Sequence, residues 1–404
     1  MVHSNLISAQ EIAQWRGPAR DGIYPDKGLL KSWPEEGPEL LFTVKDIGKG
    51  YSSAVMCNGV IYITGMIDTM DYLTAIDMTG NIKWQVPYGR SWSGSYPETR
   101  CTPTVEKDRV YVIGGTGRLV CINALSGREI WALNVDSEFQ ADWHTWGVAE
   151  SPLIVDDKVF CSPGGEQTTI VAFDKINGKL IWKSGSVGGK RSYISPVLYE
   201  FDNHRLILGM TATSLYGINP DNGKIQWSYL YSVKSPKPRP EGSILTNTPI
   251  FKEYGIYITA GYDHPSVMLK MARDGESVTE KWIDETLDNH HHGVVLIDGY
   301  IYGSNWLNNN KGNWVCLNWD TGEVAYESEW NSKGNVIYAD GMLYLYEEKS
   351  GYVGLAKPDP EKFSVVSDFK ITEGDGPHWA HPSIFDGKLF IRHGNVLMVY
   401  KIKA

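Results

Sequence analysis

One phrase recurs along this 404-residue chain at intervals of roughly 42 to 55 residues. It opens on a small residue and a proline, as at Thr102-Pro103, Ser151-Pro152, Ser195-Pro196 and Thr248-Pro249. A short strand and a turn follow, then a second strand such as Val110-Tyr111-Val112, Val159-Phe160-Cys161, Leu206-Ile207-Leu208 or Ile256-Tyr257-Ile258. A third strand ends in Asp or Asn, a glycine turn follows, and an aromatic closes the phrase. Asp77-Gly80-Trp84, Asn123-Gly127-Trp131, Asp174-Gly178-Trp182 and Asn219-Gly223-Trp227 share one spacing. Asn318-Gly322-Tyr326 keeps it with tyrosine, and Gly275 to Trp282 stretches it. Asp or Asn starts such a turn by accepting nearby backbone N–H bonds, and glycine takes the positive φ that closes it. The aromatic then lays a flat face on the neighbouring sheet.

A four-strand unit of this length cannot bury its own apolar faces, so successive copies must pack side by side. The spacing predicts an all-β, eight-bladed β-propeller of four-stranded antiparallel blades. Six blades are centred before Trp84, Trp131, Trp182, Trp227, Trp282 and Tyr326. A weaker seventh runs through Tyr338, Gly341 and Val353 to about Phe369. The eighth starts near His381-Pro382 and ends one strand short. Residues 39–44 (ELLFTV) supply that strand, with Phe42 in the aromatic position, and close the ring. A seven-bladed count stays open if the weak copy is an insertion. The expected organisation is a leader over 1–38 and one propeller over 39–404.

These units resemble the pyrroloquinoline-quinone repeat, most fully at Ala172-Phe173-Asp174 through Gly178-Lys179 to Trp182. The likeness covers about 39–402. The opening Trp15-Arg16-Gly17-Pro18-Ala19-Arg20-Asp21-Gly22 is similar to leaders of secreted bacterial members of that superfamily. It contains quinone-dependent alcohol dehydrogenases and non-catalytic outer-membrane assembly scaffolds, so the fold does not settle the function. Gly164-Gly165-Glu166 is similar to the loop that gives the dehydrogenases a calcium-ligating Glu, with Glu166 at the matching position. One carboxylate is not a calcium site. No adjacent cysteine pair is present. Gly209-Met210-Thr211-Ala212-Thr213 replaces the next expected loop, and no Trp-Asp-x-Asp stretch occurs. The resemblance therefore implies the fold without the quinone.

The net charge of −10 disfavours nucleic acid and anionic membrane surfaces, which need a basic face. No stretch is long and apolar enough to span a bilayer. Five scattered cysteines (57, 101, 121, 161 and 316) lack metal-ligand spacing and read as small buried apolar residues, with a single disulfide left open. Leu6-Ile7-Ser8-Ala9-Gln10 is similar to the tail of a secretory signal, which predicts a periplasmic or extracellular protein.

Propeller loops alternate between two faces. Of the ten histidines, His144, His264, His290, His291, His292, His378, His381 and His393 fall in loops at one mouth of the channel. The same loops carry Trp92, Trp143, Trp146, Trp306, Trp314 and Trp379, with Arg100, Arg191, Tyr193, Glu150 and Glu166. Aromatic faces stack on sugar rings, while His, Arg and carboxylates bond hydroxyls or acids. The loops therefore predict a polar ligand, a carbohydrate and an acidic one in particular. Arg100 and Arg191 are candidates for its carboxylate. Trp143, Trp146, Glu150, Glu166, His264, His292, Trp306, His378, Trp379 and His381 are the other candidate contacts. His144, His291 and Tyr193 are the candidate catalytic groups of a metal- or His-assisted lyase or hydrolase. His144, His291 and His381, from three blades, are the candidate ligands of a divalent metal. A protein-interaction scaffold and a quinoprotein dehydrogenase are the alternatives.

Overall fold

A computed structural model describes residues 12–142, 145–240 and 242–404. Among them stand eight sheets, each with a core of four antiparallel strands. The blades span 55–90, 104–134, 153–183, 197–230, 250–284, 295–328, 334–370 and 383–401, numbered here one to eight. The weak seventh copy is a full blade, which settles the count at eight. Glu39–Val44 completes the last blade antiparallel to Val396–Lys401, with Leu40 opposite Tyr400 and Val44 opposite Leu397.

The turn chemistry explains how neighbouring blades lock. Trp84 packs on Gly127 of the next blade, Trp131 on Gly178, Trp182 on Gly223 and Trp282 on Gly322. A Cβ on Gly127 or Gly178 would stand 2.9 Å from the indole, so glycine is required for the approach as well as for its positive φ. Each indole N–H also donates to a carbonyl of that turn, at 3.1–3.2 Å: Ala124, Lys175, Pro220 and Trp319. Phe42 occupies the same place on Gly80, so the closing strand docks blade eight on blade one by the device used elsewhere. The stretched turn at Gly275 breaks the pattern. His204 packs there instead, and the buried Trp227 Nε1 has no hydrogen-bond partner.

The segment before residue 39 is woven into the ring. Ile12–Ala13 adds antiparallel to the inner strand of blade two, and Ile23–Tyr24 adds parallel to that of blade seven. Between them the chain crosses the inner ring with two buried arginines. Arg20 donates to the carbonyls of Ser151 (2.9 Å), Pro152 (2.5 Å) and Pro196 (3.0 Å), on blades three and four. Arg16 donates to the carbonyls of His292, Val294 and Val336, on blades six and seven. Gly22 and Gly293 leave room for it: a side chain at either would run into the guanidinium. All five cysteines are buried and free.

Candidate functional site

Loops at one mouth converge around a cavity of about 560 Å³. Small-molecule pockets span about 300–1,000 Å³. Its wall is aromatic: Tyr51, Tyr96, Trp146, Tyr193, Tyr262 and Trp379, with Trp15 supplied by the crossing segment. Arg100, His290, His291, His381, Glu348 and Lys349 are the basic and acidic groups of the lining. Tyr96 (φ 47°) and Tyr262 (φ 70°) hold left-handed backbone, as do nearby Glu98 and Asp263. Non-glycine residues rarely adopt it, and such strain collects where side chains must be aimed. Asp288 fixes one of these loops by accepting the Asp263 and Trp306 N–H groups.

Arg100 is the cation of the wall. It donates to the carbonyls of Glu98 (3.0 Å) and Tyr96 and lies 5.7 Å from the Tyr51 ring centroid. Burial lowers its pKa, and among the described residues no carboxylate is within ion-pair distance. Two backbone carbonyls hold it directly, and the carboxylates of Glu98 and Asp71 act on it only from beyond ion-pair range. Lys349, exposed at the rim, likewise has no ion pair among the described residues.

Glu348 is the hub on the other side. Its carboxylate accepts from Lys333 Nζ (2.6 Å), His292 Nε2 (3.0 Å) and Trp379 Nε1 (3.1 Å). Burial raises its pKa, but the hydrogen bond and charge of His292 and the charge of Lys333 outweigh that and bring it down to about 2. The buried Lys333 also donates to the Asn308 carbonyl at 2.8 Å. His290, His291 and His292 pack in succession as tilted rings, with centroids 4.4 and 4.2 Å apart. Burial first, then neighbouring charge, pushes His290 down to about 3 and His291 well below its ordinary value. Both are neutral imidazoles at pH 7.

His291, His292 and Glu348 bring ligand atoms within 4.8 Å of one another and could hold a metal ion. The predicted trio of His144, His291 and His381 does not form this group. His144 and Trp143 lie outside the described residues. His381 has both ring nitrogens engaged: Arg16 donates to Nδ1 at 3.1 Å, so Nε2 carries the proton and donates to the His291 carbonyl at 3.0 Å. No lone pair remains for an ion.

The other predicted residues divide. Trp146, Tyr193, Arg100, His291, Trp379 and His381 line the cavity together. Tyr193 accepts the Trp146 N–H at 2.9 Å, and burial pushes it up to about 12. His264 and Trp306 line a smaller side pocket. His292 is fully buried behind the wall. Four lie elsewhere. Arg191 does not reach the cavity: it is buried against Asp136 at 2.7 Å and donates to the Ser162 carbonyl. Glu150 is buried, accepts the Ser162 N–H at 3.0 Å and is raised by burial to about 7. Glu166 is exposed on its loop. His378 is buried, bonded to Tyr346 Oη and stacked on His393 at 3.7 Å. Sequence reasoning missed the Glu348–Lys333 pair, Lys349 and Trp15.

The residues present do not fit a calcium-bound quinone. Calcium takes six to eight oxygen ligands. The wall offers one carboxylate, already bonded to an ammonium, an imidazole and an indole, and Glu166 is not part of it.

A family profile described as outer membrane protein assembly factor BamB matches residues 69–325, well over half the chain. The chain belongs to this BamB-type propeller family. It is 22% identical to BamB of Moranella endobia over 283 residues, covering 67% of this chain and 68% of that protein. It is 25% identical over 217 residues to a quinohemoprotein alcohol dehydrogenase of Comamonas testosteroni, covering 46% of this chain but 30% of the enzyme. Among solved structures, BamB from Moraxella catarrhalis superposes with a TM-score of 0.64 at 14% identity, covering 90% of this chain and 99% of that one. A europium-containing methanol dehydrogenase gives 0.66 at 12%, covering 96% and 91%. These likenesses concern the fold. Membership of the family supports a periplasmic or extracellular location. No helix of the described residues is long and apolar enough to cross a membrane.

Proposed function

We propose that the mouth cavity binds an acidic carbohydrate, with Arg100 taking its carboxylate and the aromatic wall taking its ring faces. Arg100 carries this reading. Its half-buried guanidinium makes no ion pair among the described residues, so it is open to a ligand anion, and it binds carboxylates in bidentate fashion. His291 is the group placed to move a proton in any turnover, being neutral, partly exposed and in the lining. Calorimetry with uronate and neutral sugars is the test. Uronates should bind, and Arg100→Ala should weaken them by ~10- to 100-fold, the worth of a charge-assisted bond of about 1.5–3 kcal/mol. Equal affinity for neutral sugars, or wild-type affinity in Arg100→Ala, would overturn it.

The cluster at Glu348 reads best without an ion. Two imidazoles sharing one metal place their ring centroids about 5 Å apart. His291 and His292 stand at 4.2 Å, and an ion there would lie beside the Lys333 ammonium. Elemental analysis of purified protein should find well under one equivalent of transition metal. A full equivalent that disappears in His291→Ala would make the cluster a metal centre.

A scaffold role is the second reading, favoured by the family profile and the outer rim. Leu125, Ile130, Ile176, Leu180 and Ile181 of blades two and three are 40–77% exposed there. A rim patch and a mouth cavity lie on different surfaces, so loss of sugar binding in Arg100→Ala would leave rim docking unchanged.

A further inference from the structure

A second recess adjoins the cavity, and nothing described so far uses it. It measures about 200 Å³, below the usual size of an independent small-molecule site. Tyr262 and Ile244 line both spaces, so the recess is an annex of the cavity. Its far side is basic. Arg239 lies 5.2 Å from the Tyr262 ring centroid and has no ion pair among the described residues. Lys237 is paired with Asp263. The hydroxyl residues Ser235 and Ser243 and the indole of Trp306 complete the lining. Trp306 and Tyr262 stand 5.0 Å apart, and the Asp288 carboxylate accepts the backbone N–H of Trp306 and of Asp263, the residue after Tyr262.

We infer that the annex is a second subsite for a neighbouring acidic unit of the same ligand, which makes the ligand an acidic oligosaccharide and not a single sugar. The inference rests on the carbohydrate reading of the cavity. Each subsite repeats one chemistry, a guanidinium beside aromatic faces: Arg100 with Tyr51 in the cavity, Arg239 with Tyr262 and Trp306 in the annex. Tyr262 is the shared partition. Its hydroxyl bonds His290 Nε2 at 2.8 Å, which anchors it toward the cavity while its ring serves the annex. A glycosidic linkage over this ring places consecutive sugars on either side. The free Arg239 then supplies the charge that a second carboxylate needs.

The test is calorimetry with galacturonate, tetragalacturonate and neutral cellotetraose, on wild type, Arg239→Ala and Arg100→Ala. The tetramer should bind at least tenfold more tightly than the monomer. Arg239→Ala should remove that gain and leave monomer affinity unchanged, while Arg100→Ala should weaken both. Monomer and tetramer of equal affinity, or a tetramer indifferent to Arg239→Ala, would overturn the annex and leave the cavity reading standing. Failure of every uronate to bind would overturn both. Circular dichroism of both variants should match wild type, since Arg239 is exposed and Arg100 donates only to carbonyls of its own loop.

Discussion

Replacing Arg20 by methionine should cost about 3–5 kcal/mol of stability while leaving the blades' secondary structure intact. Methionine fills much of the volume but donates nothing. Three buried carbonyls, those of Ser151, Pro152 and Pro196, then lose a charged donor at 2.5–3.0 Å. The Pro152 carbonyl keeps the Thr104 hydroxyl at 2.7 Å, while those of Ser151 and Pro196 are orphaned, at about 1–3 kcal/mol each. Relief of the buried charge, whose pKa burial lowers to about 10, offsets part of that. Lysine at this position should recover little, because one ammonium cannot reach acceptors on two blades as a planar fork does. Urea unfolding of the two variants beside wild type measures the effect. A loss below about 1 kcal/mol would show that the crossing segment rests on the ring without bracing it.

Acid should destabilise the protein steeply between pH 6.5 and 5. Burial lowers the pKa of five histidines: His264 to about 4, His290 and His378 to about 3, and His291 and His381 well below the ordinary value. Their unfolded counterparts titrate near 6.5. As pH falls through that value the unfolded chain gains protons that the folded chain refuses, so stability is lost. Carboxylates raised by burial act in the opposite sense. Glu150 and Asp288, both at about 7, hold protons in the fold that the unfolded chain releases above about 4, with smaller help from Asp21, Asp71, Glu98 and Asp284. Five against these leaves a net uptake of about two to three protons on unfolding, or about 3 kcal/mol per pH unit. Denaturation midpoints at pH 7, 6 and 5 test this. A flat profile would show that the imidazoles titrate as in water.

The blade count and the ring closure were legible because both rest on local rules. An Asx–Gly turn and an aromatic at fixed spacing mark each copy, and the strand missing at one end matched a spare strand at the other. The face assignment of the mouth loops followed from the same alternation. The contents of the cavity were less legible. Arg191 and Arg100 look alike in sequence, and only the fold shows that Asp136 neutralises one and leaves the other open. Glu348 and Lys333 flank opposite ends of a hairpin in blade seven, and nothing local marks them as a pair. The role of Trp15-Arg16-Gly17-Pro18 was invisible for another reason. It occurs once, so no periodicity announces it, and Arg16 and the nearby Arg20 meet carbonyls more than 130 residues away.

The crossing segment also sets the order in which the molecule can be completed. Ile12–Ala13, Arg16, Arg20 and Glu39–Val44 leave the ribosome before the blades they join, with partners that run from residue 104 to residue 401. No blade made early can finish the hub, and the ring cannot shut before the final strand is synthesised. Contacts of such long sequence separation fold slowly, because the loop must close before any pairing rewards it. A growing chain of this kind therefore spends its synthesis as an open arc with unpaired strand edges. That condition suits a polypeptide handed across a membrane before it folds, and it makes the C-terminal strand Val396–Lys401 the step that commits the whole wheel.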